Sequence, residues 1–326
     1  MKILVTGGGG FLGSAICRRL RTTGHAVVAL QRSPAHHLLA HGVEVQRGDI
    51  GDEQALDAAA RGCEAIIHAA AKAGVWGEPA DYERINVTGT ANVIAVCRRL
   101  SIPMLVHTSS PSIVHGDGDI EGGDESLPLE TRFLAPYPAT KARAEQLVLA
   151  ANSASLKTTA LRPHLIWGPG DPHILPHLLA AVRRGRLPLP GADKRVDTVF
   201  VENAALAHVN ALHELCGEAK CAGKAYFISN DEPLPQGEII QRLLAAVGVK
   251  VRILPVPAWL ARSAGALCEA SWRMFRIQSE PPVTRFSAGQ LCTAHWYNIG
   301  AAKRDLAYRP EKSIAEGLLE LQRSVS

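Results

Sequence analysis

The chain begins with Met1-Lys2-Ile3-Leu4-Val5-Thr6-Gly7-Gly8-Gly9-Gly10-Phe11-Leu12-Gly13, the stretch that decides the fold. Its apolar start, at residues 3–5, predicts a short buried strand, and the glycine run follows that strand directly. After Gly10 the apolar residues recur at the spacing of an amphipathic helix, because Leu12, Ile16 and Leu20 share one face. A strand, a G-x-x-G-x-x-G loop and a helix in this order are typical of a dinucleotide-binding unit.

Each spaced glycine has a physical role in such a loop. Gly7 permits the tight turn, Gly10 lets the backbone approach a pyrophosphate, and Gly13 lets the helix pack close to the strand. The start of the helix, at Phe11 and Leu12, then offers free N–H groups and the positive end of the helix dipole to the phosphates. An ordinary glycine-rich turn is the alternative, and the flanking strand and helix argue against it.

The composition describes a globular enzyme of moderate size. The 326 residues are enough for one large α/β unit with a smaller appended lobe. Apolar residues make up 47% and charged residues 20%, which leaves little room for disorder, and the net charge of +4 is too small to indicate a nucleic-acid partner. The seven cysteines include no C-x-x-C pair, and no secretory signal fits ahead of the first strand, so we expect reduced thiols in a cytoplasmic protein.

Strands and helices alternate over the first half of the chain. Further strands are predicted at residues 26–30, 43–50, 65–71, 103–110 and 158–161, with helices at 81–100 and 137–151 and a turn-rich loop at 116–136. This pattern predicts an α/β fold, a Rossmann-like doubly wound parallel sheet with helices on both faces. We assign residues 1–165 to a cofactor-binding domain, and 166–326 mainly to a smaller substrate-binding lobe with some segments returning to the sheet.

The end of the second strand indicates which dinucleotide binds. In NAD-binding units an acidic residue near this point holds the ribose 2′-hydroxyl, whereas this chain has Gln31-Arg32-Ser33. A guanidinium suits a 2′-phosphate, so Arg32 predicts NADP(H). The alternative is that Arg32 is only a solvated loop charge.

The third and fourth strands end in further candidate cofactor contacts. Asp49 and Ile50 follow the third strand, and Asp49 either accepts from the adenine amino group or caps the helix that begins near Asp52. The small side chains of Ala69 and Ala70 follow the fourth strand, where they let a cofactor lie against the sheet.

Tyr137 and Lys141 are the candidate catalytic pair. Their spacing of four residues puts both on one face of a helix. A neighbouring ammonium favours the phenolate and lowers the pKa of Tyr137, which could then exchange a proton with a substrate oxygen. Lys141 could also bond the nicotinamide ribose. Ser110, at the end of the fifth strand, is the preferred residue for holding the same oxygen, with Ser109 and Ser112 as rivals.

These residues together resemble the extended short-chain dehydrogenase/reductase family over nearly the whole chain, and within it the 3β-hydroxysteroid dehydrogenase-like subgroup. The segments that look like its cofactor and catalytic motifs are residues 6–13, 107–110 and 136–141. Residues 161–163 and 167–171 are similar to the stretch that lines the nicotinamide pocket, which adds Pro163 to the cofactor residues. The segment 195–203 resembles the one that leads into the substrate lobe.

The resemblance carries expectations about activity. It implies an NADP(H)-dependent oxidoreductase with Ser110, Tyr137 and Lys141 as catalytic residues, and a homodimer formed through the long helices. The stretch 118–128 is similar to that of reductases that act on 2-alkyl-3-keto acids in bacterial long-chain olefin synthesis. This similarity favours an apolar small-molecule substrate, a long-chain 2-alkyl-3-keto acid. His68 stands where many short-chain dehydrogenases carry asparagine, as is usual in extended members.

Other functions stay open at this stage. A 3β-hydroxysteroid dehydrogenase or a nucleotide-sugar epimerase would use the same motifs, and an NADP(H)-binding sensor or scaffold would bind the cofactor without turnover. Arginines in the small lobe could hold the phosphates of a sugar nucleotide or the carboxylate of a keto acid: Arg183, Arg184, Arg186 and Arg195. We predict no metal site, because His173 and His177 are separated by Pro176 and no glutamate follows His173.

A helix predicted at residues 257–277 has two different faces. Arg262, Glu269, Arg273 and Arg276 fall on one, and the opposite face is apolar, with Leu260, Ala264, Leu267, Met274 and Phe275. The charges interrupt any run long enough to span a membrane. Plain packing on the small lobe is one interpretation; a lid over an apolar substrate, or weak contact with a membrane surface or a partner enzyme, is the other.

Overall fold

The protein is described here by a computed structural model that covers residues 1–277 and 279–325. The strands are β1 Lys2–Thr6, β2 Ala26–Gln31, β3 Glu44–Arg47, β4 Ala65–His68, β5 Met104–Thr108, β6 Ile120–Gly123, β7 Lys157–Pro163, β8 Ile166–Trp167, β9 Arg186–Leu189, β10 Arg195–Val196, β11 Val199–Phe200, β12 Ala225–Ile228, β13 Leu234–Pro235, β14 Arg252–Pro255 and β15 His295–Tyr297. The helices are α1 Phe11–Thr22, α2 His36–Leu39, α3 Glu53–Ala60, α4 Pro79–Tyr82, α5 Gly89–Arg99, α6 Pro136–Ala150, α7 Ile174–Ala181, α8 Val201–Cys216, α9 Gln236–Ala246, α10 Ala258–Met274, α11 Arg285–Leu291, α12 Gly300–Asp305 and α13 Ile314–Val325.

Seven strands form one parallel sheet in the order β12-β7-β5-β4-β1-β2-β3. The central strands β1 and β4 are buried on both faces, which explains their unbroken apolar runs. The chain passes from β1 to β2 and β3 on one side, and then crosses to β4 and β5 on the other. The order therefore reverses between β1 and β4, and ligands of doubly wound sheets bind at this switch point. The predicted α/β fold class is confirmed.

Helices cover both faces of this sheet. On one face α1 packs against α8, and their apolar sides meet the sheet in a cluster that includes Ile16, Leu20 and Leu212. On the other face α5 packs between α3 and α6, with Leu56, Val93 and Val148 in the second cluster. Helix α6, which carries the candidate pair Tyr137 and Lys141, therefore lies on the second face, where it is held by sheet and helix together.

The predicted loop at residues 116–136 contains a strand. Its β6 pairs in parallel with β15, and these two strands continue through β10 to β13 as a separate four-stranded sheet. The strand was hidden in the sequence because Gly122 and Gly123 give it the composition of a turn. The loop after β5 is thus anchored to this second sheet.

The helix predicted at residues 81–100 is interrupted. It begins as α4, passes through a π-helical segment at Glu83–Thr88, and continues as α5. Insertion of a wider turn into a helix rotates the residues after it and often marks a functional site. In this protein the π-helical segment carries the buried Asn86.

Helix α10 packs by its small and acidic residues and leaves its apolar face exposed. A Cβ at Gly265 would lie 2.7 Å from the Thr284 carbonyl oxygen, so glycine is needed for the close approach to α11. Buried Glu269 accepts from the Arg285 N–H at 2.7 Å and from its Nε at 2.9 Å. The apolar face stays in solvent, with Leu267 and Met274 exposed by 69% and 72%. Among the described residues, every helix is too short or too polar to cross a lipid bilayer.

Candidate active site

The glycine loop after β1 is built for close backbone approach. Gly7 has φ +69°, and a Cβ there would lie 2.8 Å from the Cα of Ala70. A Cβ at Gly13 would lie 2.0 Å from the Gly7 carbonyl oxygen, which agrees with the predicted packing of helix against loop. Gly10 is the N-cap residue of α1, so no side chain caps the first-turn N–H groups of Phe11 and Leu12. These groups are free to bind an anion.

A cleft opens along the carboxyl ends of β1 to β4. Its lining brings together seven of the residues predicted to bind cofactor: Gly7, Gly10, Arg32, Asp49, Ile50, Ala69 and Ala70. The cleft also includes Gln31 and Ser33 from the end of β2, and Ile85 from the π-helical segment. Phe11, Leu12 and Gly13 begin α1 beside it, whereas Tyr137, Lys141 and Pro163 are outside the lining and belong to the neighbouring part of the sheet edge. The residues fit a dinucleotide, because the glycines leave room for its phosphates.

Asp49 does not cap a helix. The cap of α3 is Asp52, whose carboxylate accepts from the N–H groups of Gln54 and Ala55 at 2.9 and 3.1 Å. Asp49 instead accepts from the Gly51 N–H at 2.7 Å, a turn that fixes its side chain at the rim of the cleft. The helix-capping alternative is therefore wrong, and contact with the adenine remains a prediction.

His68 ties the loop after β4 to the glycine loop. The Thr90 hydroxyl donates to the Asn86 carbonyl at 2.6 Å, so it accepts from Nε2 of His68 at 3.0 Å. Nδ1 of His68 then accepts from the Thr6 hydroxyl at 2.7 Å, and the Thr6 oxygen accepts from the Ala70 N–H at 3.3 Å. Burial lowers the pKa of His68 to about 3, so the ring is neutral and this chain of hydrogen bonds keeps one polarity.

Asn86 lies beside the candidate site, and the sequence analysis did not identify it. It is buried, and its amide nitrogen donates to the Thr140 hydroxyl at 3.0 Å and to the Lys72 carbonyl at 3.1 Å. Its amide oxygen accepts from the Lys72 N–H at 2.7 Å. Asn86 therefore fastens the loop after β4 to the catalytic helix. The available signal was a polar side chain between the apolar Ile85 and Val87 in a predicted helix.

Helix α6 presents Tyr137, Lys141 and Glu145 on one face, as their four-residue spacing requires. Glu145 is buried and bound by Arg162 through two hydrogen bonds, Nε to Oε2 at 2.9 Å and Nη2 to Oε1 at 2.6 Å. Arg162 lies at the end of β7, so this bidentate pair locks the catalytic helix to the sheet.

The phenol of Tyr137 interacts with Ser110. Burial raises the pKa of Tyr137, and a hydrogen bond with the Ser110 hydroxyl opposes that rise. Ser110 also contacts Ser112, with 2.9 Å between their hydroxyl oxygens. Ser109 is 3% exposed and its hydroxyl has no partner among the described residues. The choice of Ser110 over Ser109 and Ser112 for holding a substrate oxygen stays a prediction.

Lys141 is buried, and its ammonium contacts the end of strand β5. Its ammonium donates to the Thr108 carbonyl at 2.5 Å and to Nε2 of His107 at 3.3 Å. Burial lowers the pKa of Lys141 to about 8, and the Glu145 carboxylate opposes this change. The predicted lowering of the Tyr137 pKa is wrong, because burial of the phenol raises that pKa.

The arrangement can carry out proton transfer beside a dinucleotide. Tyr137 supplies a phenolic proton, Ser110 a hydroxyl to orient an oxygen, and Lys141 a positive charge at the same strand ends as the glycine loop. These are the elements needed to interconvert a ketone and an alcohol.

Comparisons with known proteins agree with this arrangement. Residues 4–256 match the family described as 3-beta hydroxysteroid dehydrogenase/isomerase. A 2-alkyl-3-oxoalkanoate reductase of Stenotrophomonas maltophilia (strain K279a) is 52% identical, and the match covers 99% of both chains. A protein with the same description from Shewanella oneidensis is 46% identical over 98% of this chain and 85% of its own length.

Solved structures share the fold at low identity. A UDP-galactose 4-epimerase superimposes with a TM-score of 0.74 at 21% identity, covering 100% of this chain and 98% of that one. A short-chain dehydrogenase/reductase superfamily protein from Agrobacterium tumefaciens gives 0.76 at 19% identity, covering 99% and 97%. At this identity the likeness concerns the fold.

The close contact at Gly13 is tested by Gly13→Ala. Its methyl group would press on the Gly7 carbonyl, so we expect a loss of about 1–3 kcal/mol of unfolding free energy and weaker cofactor binding. Gly118→Ala is the control, because a Cβ there meets no atom within 4 Å. Urea unfolding and cofactor fluorescence measure both effects. Equal behaviour of the two variants would contradict the packing role of Gly13.

The buried ammonium of Lys141 predicts a pH dependence of stability. Its pKa of about 8 in the folded protein is below the ordinary value of about 10.4, so between these values the unfolded chain binds more protons. Stability should therefore rise with pH in this window, by up to about 3 kcal/mol relative to Lys141→Met. Urea unfolding from pH 7 to 10 measures the difference.

The control for that series is Lys250→Met, since Lys250 is exposed. Its difference from the unmodified protein should stay constant across the same pH range. A constant difference for Lys141→Met as well would show that Lys141 is not buried as an ammonium.

Proposed function

Because the chain belongs to the 3-beta hydroxysteroid dehydrogenase/isomerase family, we propose that it is an NADPH-dependent reductase that converts a long-chain 2-alkyl-3-keto acid into the hydroxy acid. The predicted family and enzyme class, an extended short-chain oxidoreductase that uses a nicotinamide cofactor, are confirmed. The substrate follows from the reductases that are 52% and 46% identical. The observation that carries the proposal is the buried Lys141 ammonium, one turn from Tyr137 on the same helix face. It is held by the Thr108 carbonyl and His107 at the strand end that Ser110 follows.

The proposed reaction divides between cofactor and protein. When bound in the cleft, the nicotinamide supplies the hydride that reaches the keto carbon. Tyr137 gives its phenolic proton to the carbonyl oxygen, and Ser110 holds that oxygen by a hydrogen bond. Lys141 places a positive charge near the phenol, which favours the phenolate left after proton transfer. One hydride and one proton together turn the ketone into an alcohol.

The choice of NADPH rests on the end of β2. Arg32 is exposed in the cleft, and the neighbouring Arg47 donates from Nε to the Arg32 carbonyl at 3.0 Å. Two guanidinium groups therefore lie at the edge where a ribose 2′-phosphate would sit. The segment Gln31-Arg32-Ser33 contains no acidic residue. A planar guanidinium binds phosphate with two parallel hydrogen bonds.

The exposed face of α10 supports an apolar substrate. The guanidinium carbon of Arg273 lies 5.6 Å from the ring centre of Trp76, in the loop between β4 and α4. Tyr82 follows that loop, its phenol donates to the Trp76 carbonyl at 3.0 Å, and its helix α4 packs against α6, the helix of Tyr137. The carboxyl end of α10 is thus near the catalytic tyrosine, and we propose that its apolar face is a lid that covers the acyl chain.

The remaining expectations belong to the same proposal. A homodimer through the long helices and a cytoplasmic location are expected from the family resemblance and the reduced cysteines. The epimerase alternative is weaker, because the relatives that are 52% and 46% identical are oxoalkanoate reductases, whereas the epimerase is 21% identical. The sensor alternative predicts cofactor binding without turnover.

The proposed acid is tested by Tyr137→Phe, which keeps the ring and removes the phenol. With a 2-alkyl-3-keto acid as substrate, we expect kcat to fall by roughly 10²-fold or more, the scale of general acid catalysis. NADPH affinity should change little, which serves as the internal control for folding. The loss of NADPH absorbance measures turnover, and near-normal turnover would remove Tyr137 from the mechanism.

Cofactor choice is tested by Arg32→Ala. Only NADPH carries the 2′-phosphate, so NADPH should bind about 10-fold or more weakly while NADH binding is unchanged. Arg61→Ala, at the exposed end of α3, is the control and should alter neither. Equal weakening of both cofactors, or a preference of the unmodified protein for NADH, would contradict the role of Arg32.

The lid is tested with 3-keto acids of increasing acyl length. Each buried methylene contributes about 0.8 kcal/mol, so kcat/KM should rise with length, and Met274→Ser should flatten the rise. Leu319→Ser is the matched control, because Leu319 is also an exposed apolar helix residue. An unchanged length series, with loss only of vesicle or partner-enzyme binding, would instead make this face a surface contact.

A further inference from the structure

His107 contacts Lys141 directly and takes no part in the proposed reaction. It lies on β5, its side chain is fully buried, and its Nε2 is 3.3 Å from the Lys141 Nζ. Its other nitrogen, Nδ1, is buried without a partner among the described residues. The proposed reaction assigns His107 no role, yet a histidine in direct contact with a buried ammonium must affect that charge.

The contact fixes the protonation of the His107 ring. An ammonium has three N–H donors and no acceptor, so Lys141 must donate to a lone pair on Nε2. The ring proton is therefore on Nδ1, and the ring is neutral, since a cation would repel Lys141. Burial lowers the pKa of His107 well below its ordinary value, in agreement with a neutral ring.

The neighbouring histidines also support a permanent acceptor. His68 lies against His107 with ring centres 5.2 Å apart, and both of its nitrogens are occupied by threonine hydroxyls. His208 donates from Nδ1 to the Ala204 carbonyl at 2.7 Å, so its Nε2 accepts from the Thr108 hydroxyl at 2.8 Å. Neither ring contacts Lys141, and each is held neutral, so neither adds a positive charge beside the ammonium.

The Lys141 ammonium has two of its three N–H bonds directed at β5. Of its three N–H bonds, one is directed to the Thr108 carbonyl and one to His107. The third is left for a cofactor hydroxyl or the phenolate of Tyr137. Glu145 is bound by Arg162, so its carboxylate acts on Lys141 only through space. His107 is therefore an uncharged acceptor in direct contact with the ammonium.

We propose that His107 is a positioning residue, which keeps Lys141 protonated and aims its remaining N–H bond at the reacting groups. The proposal rests on the catalytic role of Lys141 in the proposed function. A hydrogen bond to a charged donor favours the charged form. A neutral acceptor favours the ammonium form without attracting it strongly. A carboxylate in the same place would pull the ammonium away from the phenolate.

The test compares the basic limb of the pH profile of kcat/KM in three variants. His107→Phe removes the acceptor, and the limb should move down by about one pH unit, since a hydrogen bond to a charged group has an effect of this size. His107→Gln should restore the limb, because a side-chain amide oxygen can accept the same bond. His208→Gln, a substitution of another buried histidine, should leave the limb in place even where it lowers thermal stability.

The outcomes separate this proposal from the proposed function. Absence of keto acid turnover in the unmodified protein would overturn the function, and the pH dependence of nicotinamide cofactor binding would then replace kcat/KM as the readout. A limb that stays in place in His107→Phe would overturn the role of His107. Equal shifts of the basic limb in His107→Gln and His107→Phe would also overturn the role of His107. Should His107→Phe fail to fold, the comparison of His107→Gln with His107→Leu gives the same information.

Discussion

The ammonium of Lys141 is buried between β5 and α6, where water is excluded and a charge is costly to hold. Its position depends on the Thr108 carbonyl and His107 on one strand, and on the Arg162–Glu145 pair that locks α6 to β7. These contacts hold Lys141 in place, and the four-residue spacing on α6 puts it one helical turn from Tyr137. Burying this ammonium lowers the stability of the fold, and it places a positive charge close to the phenol of Tyr137.

A second group of contacts joins this catalytic helix to the cofactor cleft. Thr6 and His68 connect the glycine loop to the strand beside it, and Asn86 connects the following loop to Thr140 on α6. The π-helical segment makes the second connection possible, since it turns Asn86 inward from a helix that otherwise buries apolar side chains. The dinucleotide cleft and the proton-transfer residues are therefore parts of one framework of hydrogen bonds.

Sequence patterns predicted the parts of this framework that depend on local spacing. The strand, glycine loop and helix at residues 1–22 are decided by adjacent residues, and the pairing of Tyr137 with Lys141 by helical periodicity. Asn86 and His107 were not identified from the sequence, because their importance comes from partners distant in the chain, Thr140 and Lys141. For α10, periodicity revealed two faces and could not decide which is buried, because Gly265 and Glu269 make the contact with α11.

The central claim is that hydride reaches the 3-carbon of a keto acid in this site. The most direct test is incubation of a 2-alkyl-3-keto acid with NADPH deuterated at both C4 positions, followed by mass spectrometry of the product. The account predicts a hydroxy acid with one deuterium, located on C3. Consumption of the keto acid without deuterium at C3, for example by loss of carbon dioxide to an unlabelled ketone, would contradict it.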